Sequence, residues 1–223
     1  MKTTEPQVFI IESLRFSDEA EDSFEGRRIS DMLALSGKTC KYFYVRTKAE
    51  FEAVLDKFWD SKYRYLHLSC HANSLGMETT LDEIPFQELS DILEPYLENR
   101  RLFLSACEMS CSKLAKLLMP KSGCYSILGP SEKIDFADAA IFWASFYHKV
   151  FRLNSEAINQ RRLLATATVL SAIYSLPLNC FWMREDRFTK HFITPHPKPG
   201  EDVILKWAIE NLFTKHPTPM PNK

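Results

Sequence analysis

The six cysteines of this chain (Cys40, Cys70, Cys107, Cys111, Cys124 and Cys180) form no CxxC pair and no paired-knuckle spacing. That spacing argues against a structural zinc site, and three tail histidines (His191, His196 and His216) are too scattered to supply one. The opening MKTTEPQ has no apolar stretch of the kind a secretory leader needs. No apolar run is long enough for a bilayer either. The richest stretches, 139–151 and 163–174, carry polar residues and fall short of the roughly 18–20 apolar residues a span requires. Charge of one sign is also missing. With 28 basic against 29 acidic residues the net charge is −1, so nothing draws the whole chain to nucleic acid or an anionic membrane. A cytoplasmic protein with free, mostly core-packed thiols is the expectation, with no cofactor, no direct nucleic-acid partner and no membrane insertion.

A glycine-rich phosphate loop is absent as well. The segment SLRFSDEAEDSFEG (13–26) follows the first predicted strand, but it holds one glycine and a run of acids. It would repel phosphate rather than cradle it, which disfavours a Rossmann or P-loop nucleotide site.

What is present is alternation. Val8–Ile11 reads as a buried strand, and residues 21–36 as a helix closed by Gly37. Tyr42–Val45 reads as a second strand. Segment 49–61 is the cleanest helix, with Phe51, Val54, Leu55, Phe58 and Trp59 at i, i+3, i+4, i+7 and i+8. A third strand spans Tyr65–Cys70, followed by a polar loop or short hairpin over 72–85 and a helix over Phe86–Leu97. Strands at 102–106 and Tyr125–Leu128 flank a helix from about Ser110 to Leu118. Helices near 138–150 and 155–174 precede a last strand at Leu178–Met183.

This order predicts an α/β fold with a parallel sheet covered on both faces. The core domain is expected over 1–190. Six of the twelve prolines lie between Pro195 and Pro221, so 191–223 reads as a Pro-rich extension with one helix at Glu201–Phe213.

Two strand ends carry chemistry. YLHLSCHA ends at His71 and RLFLSACE at Cys107, on consecutive strands that a right-handed crossover sets side by side. Reactive groups gather beyond the carboxyl ends of such strands. A thiol with a pKa of about 8.5 is only a few per cent ionised at neutral pH, and a neighbouring imidazole accepts its proton. The alternative is structural: a cysteine packed at a strand end, and a histidine on the surface or bonded to a backbone carbonyl. Ser69 and His67 share the alternation of His71 and are expected to be buried and hydrogen-bonded. Cys111, one turn after Cys107, is either a resolving thiol or a core cysteine. Glu108 fits a structural role in the first helical turn.

At these residues the sequence resembles the CHAT-domain proteins of the caspase-like cysteine peptidases. YLHLSCHA and LFLSACE are similar to that family's paired signatures, and TLDEIPFQELSDIL (80–93) to its intervening loop and helix. YSILGPSEKIDFADAAIFWASFY (125–147) is similar to its next strand, aspartate-containing loop and aromatic helix. The resemblance covers residues 60–150 best. It implies a caspase-like three-layer sandwich with a mostly parallel central sheet of about six strands. It also implies a cysteine endopeptidase with His71 as general base and Cys107 as nucleophile. The backbone N–H groups of Ala72 and Cys107 would form the oxyanion hole, and Asp135 and Asp138 would contact substrate. For Asp138, capping of a helix that starts at Ala139 is the competing use. The family commonly has glycine where Ala72 stands.

The family implies a protein substrate, a separate activating or regulatory protein partner, and a role in prokaryotic antiviral defence or cell death. A catalytically inactive caspase-like module that binds a partner is the alternative function. A flavodoxin-like small-molecule binder is a third.

Overall fold

A computed structural model describes residues 4–106, 109–153, 158–184 and 187–194. The expected helix at Glu201–Phe213, and most of the Pro-rich extension, lie outside the described residues. The elements run β1 (Glu5–Ser13), α1 (Phe16–Ala20), α2 (Glu25–Leu35), β2 (Cys40–Tyr44), α3 (Lys48–Ser61) and β3 (Tyr63–Ala72). A hairpin of β4 (Gly76–Glu78) and β5 (Glu83–Pro85) follows. Then come α4 (Phe86–Leu93) with a 3-10 turn at Glu94–Tyr96, β6 (Arg101–Ser105), α5 (Ser112–Ser122), β7 (Ser126–Pro130), α6 (Phe136–Leu153), α7 (Gln160–Tyr174), β8 (Leu178–Arg184) and β9 (Arg187–Ile193).

The main sheet runs β2-β1-β3-β6-β7-β8-β9, with the β4–β5 hairpin branching from the end of β3. The β1, β2, β3, β6 and β7 strands pair in parallel, whereas β8 and β9 close the edge antiparallel. The sheet is therefore mixed, and its seven strands among the described residues exceed the expected six by β9.

Period-two alternation splits the core into two layers. Phe9, Leu66, Leu68 and Leu104 pack with Phe51 and Phe58 of α3, Leu89 of α4 and Leu114 of α5. Ile10, Tyr65 and Phe103 pack on the opposite face with Ile29 of α2, Trp143 and Phe146 of α6 and Leu163 of α7. This is the three-layer α/β arrangement expected from the sequence.

Local chemistry sets the helix ends. Thr47 accepts the Glu50 N–H at 3.1 Å while the Glu50 carboxylate accepts the Thr47 N–H at 3.1 Å, a reciprocal cap that starts α3. Asn159 accepts the Arg162 N–H at 2.9 Å and starts α7. Helix α6 begins at Phe136, so Asp138 stands in its first turn rather than at its cap.

Strand β1 sends the chain to β2 on one side, and β3 returns on the other. The carboxyl ends of β1 and β3 thus flank the switch in strand order, where an open α/β sheet leaves a crevice.

Candidate active site

Strands β3 and β6 are hydrogen-bonded neighbours, in parallel register from Tyr65↔Arg101 to Ser69↔Ser105. His71 follows Ser69 by two residues, and Cys107 follows Ser105 by two. Cys107 and Glu108 themselves lie outside the described residues. The chain resumes at Met109, which is fully buried. Ser110 is then tied to β8, its carbonyl accepting the Asn179 side-chain N–H at 2.7 Å. Gly129 makes room for this turn: a Cβ there would stand 2.5 Å from the Leu104 carbonyl oxygen and 3.0 Å from Ser110 Cβ.

His71 is half-buried. Its Nε2 lies 2.7 Å from Oδ2 of Asp18, and its ring meets Phe136 edge-on, with centroids 5.5 Å apart. A small cavity beside it is lined by Glu25, Cys70, Ser105, Ala106, Ile134, Phe136 and Ala139. Asp135 and Asp138 are both exposed and are not among these lining residues. Asp135 uses its backbone carbonyl to accept the Ala139 N–H at 2.9 Å.

Ala72 closes β3 opposite Met77 of β4. It is not among the described residues with positive φ, so alanine meets no strain here. The Asn73 N–H donates to the Gly76 carbonyl at 3.0 Å. Hydrogen-bonded and non-hydrogen-bonded pairs alternate in an antiparallel ladder, so the Ala72/Met77 pair is non-hydrogen-bonded and the Ala72 amide points away from β4.

Beneath the strand ends lies a buried polar cluster. Glu25 takes Ser105 Oγ at 2.6 Å and Ser69 Oγ at 2.9 Å. Burial, opposed by these two hydroxyls, pushes its carboxyl up to about 8, so at neutral pH it is mostly the protonated acid. Glu12 is also pushed up by burial, but the Gly26 N–H, the Tyr42 hydroxyl and the Arg27 N–H draw it back toward ionisation. His67 and Ser69 are fully buried and bonded as expected, His67 through Nδ1 to the Tyr147 hydroxyl at 2.8 Å. Burial holds the His67 imidazole down at about 3, hence neutral. Cys111 is only partly buried and stands at the N-cap position of α5 without a side-chain capping bond.

Asp18 and Glu25 were missed as site residues. Both sit in the acidic segment 13–26, whose sequence alone indicates only repulsion of phosphate, and the fold brings it over the strand ends. Among the described residues no group of three or more His, Cys, Asp or Glu could hold a metal ion, and no helix is long and apolar enough to cross a membrane.

No protein-family model matches the chain, and no curated protein matches it in sequence. Solved structures do. A secreted C11 cysteine protease from Bacteroides thetaiotaomicron, "iotapain", aligns with a TM-score of 0.52 at 8% identity, over 80% of this chain and 66% of its own. The same organism's secreted C11 protease in complex with an irreversible peptide inhibitor aligns at 0.49 and 8% identity. The Arg-specific cysteine proteinase gingipain R aligns at 0.49 and 13% identity, over 76% of this chain and 43% of its own. The chain spans just under two thirds of the length of iotapain. At 8% identity the shared property is the fold, and that fold is the α/β caspase-like sandwich of cysteine proteases.

Proposed function

We propose that this chain is a cysteine endopeptidase acting through Cys107 and His71. The observation that carries the reading is the pairing of β3 with β6, which sets the two strand ends side by side in a fold shared with a cysteine protease. The Cys107 thiol gives its proton to His71, and the thiolate attacks a peptide carbonyl. The backbone N–H groups of Ala72 and Cys107 receive the oxyanion. Collapse expels the amine, which takes the proton back from His71, and water then hydrolyses the acyl-enzyme. The side chain before the scissile bond enters the cavity beside His71, with Asp135 and Asp138 at its outer rim.

The resemblance to CHAT-domain proteins supports a finer reading. The enzyme works in the cytoplasm on a protein substrate, is switched on by a separate protein partner, and serves antiviral defence or cell death. Incubation with a thiol-reactive peptide probe, followed by peptide-resolved mass spectrometry, tests the chemistry. Labelling at Cys107 that is lost in His71→Ala supports it. Substrate cleavage that survives Cys107→Ala overturns it, and a folded chain whose Cys107 reacts no faster than Cys40 with the partner present marks a binding module instead.

A further inference from the structure

The pairing of Cys107 with His71 leaves one role unfilled: what holds the imidazole, and which of its nitrogens takes the proton. We infer that Asp18 is the positioning residue of this site, accepting the Nε2–H of His71 so that Nδ1 is the nitrogen that receives the Cys107 proton. The inference rests on the peptidase reading above for its role, but not for its geometry.

Asp18 stands in α1, on the short segment that leaves β1 at the switch in strand order. Its Oδ2 is 2.7 Å from Nε2 of His71. A carboxylate accepts only, so the shared hydrogen belongs to Nε2 and the neutral ring carries its lone pair on Nδ1. Among the described residues Nδ1 has no hydrogen-bond partner.

The carboxylate is itself fixed. Oδ2 also accepts the Arg15 N–H at 3.2 Å, and the Asp18 backbone carbonyl accepts the Ser23 N–H at 2.9 Å. Arg15 reaches Glu78 through Nε at 3.1 Å and Nη2 at 2.5 Å. Glu78 stands opposite His71 in the β3–β4 ladder. The segment that carries Asp18 is thus clamped to the hairpin that extends from His71. The Phe136 ring blocks another side of the imidazole.

The chemistry follows from this placement. When the S–H bond breaks, its proton binds Nδ1 and the electron pair stays on sulfur. The ring becomes an imidazolium with a hydrogen on each nitrogen. Asp18 lowers the cost of that charge through a charge-assisted bond and keeps the ring from turning. The same Nδ1–H later goes to the departing amine, which restores the starting state.

A purely structural role is the competitor, since Asp18 also receives the N-cap amide of α1. Asp18→Asn separates the two, because asparagine keeps an acceptor for that cap and loses the charge. The rate of Cys107 alkylation by iodoacetamide, read at the Cys107 peptide, should fall roughly tenfold or more in Asp18→Asn. With a cleavable substrate, kcat should fall with KM little changed. A wild-type rate in Asp18→Asn overturns the proposal. Proton NMR of the Cys107→Ala protein gives a readout independent of catalysis. A downfield hydrogen on Nε2 of His71 is expected, and it should vanish when Asp18→Ala is added. If it persists, Asp18 is not the partner. If that signal behaves as expected but Cys107→Ala still cleaves substrate, the peptidase reading fails and the His71–Asp18 pair stands.

Discussion

Ser69 of β3 and Ser105 of β6 face each other across paired strands, and both hydroxyls turn onto the single carboxyl of Glu25. The contact lies two residues before His71 on one strand and two before Cys107 on the other. A protonated glutamic acid therefore ties together the strands that carry both proposed catalytic groups. Ser69 Oγ also approaches Glu12 Oε1 at 3.3 Å, but one hydroxyl hydrogen serves only one carboxyl. Glu12 has three other donors, whereas among the described residues only the two serines hydrogen-bond Glu25, which is why the proton resides on Glu25.

Stability should accordingly fall as the pH rises from about 4.5 to about 8. Glu25 titrates at its ordinary 4.5 in the unfolded chain and at about 8 in the fold. Below 4.5 both states hold the proton. Between the two values the folded chain binds the extra proton, so raising the pH favours unfolding, and above 8 this contribution is flat. Glu25→Gln removes the titration while keeping the shape. Its stability relative to wild type should improve by about 2–4 kcal/mol between pH 5 and pH 9. Glu12 leaves a weaker slope of the same sign. Urea denaturation across that range checks the idea, and parallel pH profiles for the two proteins would sink it.

Replacing Ala72 by proline should separate folding from catalysis. The Ala72 amide points away from β4, so proline breaks no bond of that ladder. It also holds the preceding His71 in the extended region it already occupies. The fold should survive with a loss of about 1 kcal/mol or less, while removal of one oxyanion donor should cost roughly 10²–10³ in kcat. Ala72→Gly, which restores the residue common in the resembling family and keeps the N–H, should stay active. Full activity in the proline variant excludes this amide from the oxyanion hole.

Much of this organisation was legible in the chain. Period-two alternation in YLHLSC placed Leu66 and Leu68 on one face and His67 and Ser69 on the other. The i, i+3, i+4 spacing from Phe51 to Phe58 marked α3. Strand β9 was not legible. RFTKHFI is an edge strand rich in charge, and its meaning comes from antiparallel pairing with β8. The buried acids were hidden for a different reason. Glu25 meets Ser69 and Ser105 across 44 and 80 residues, and Asp18 meets His71 across 53. No local pattern separates such a carboxylate from its solvated neighbours. The available signal was topological: a segment that leaves β1 beside the crevice is placed to reach it.

The aromatic layer behind the site should dominate stability. Phe103 is fully buried on β6 and meets the rings of Tyr65, Trp143, Phe146 and Tyr147 at centroid distances of 5.5–6.0 Å. Rigid neighbours from β3 and α6 close over a cavity poorly, so Phe103→Ala should cost about 3–5 kcal/mol. Phe103→Leu should cost much less. Equilibrium denaturation with an unchanged m-value tests this, and a loss below about 1 kcal/mol in the alanine variant would mean that β6 repacks freely.

Phe136 is the opposite case, a half-buried ring whose value is local. It opens α6, lines the cavity beside His71 and presses edge-on against the imidazole. Edge-to-face pairs contribute about 0.5–1.5 kcal/mol beyond area burial. Phe136→Ala should therefore lower kcat/KM roughly two- to tenfold by freeing the ring and widening the cavity. The thermal midpoint should move little, because the side chain leaves no sealed void. The widened cavity should also relax selection at the position before the scissile bond, so a larger side chain there should lose less than a small one. Cleavage of a peptide series varied at that position measures both effects. An unchanged kcat/KM with an unchanged preference would remove Phe136 from the substrate pocket and return that wall to Ile134 and Ala139.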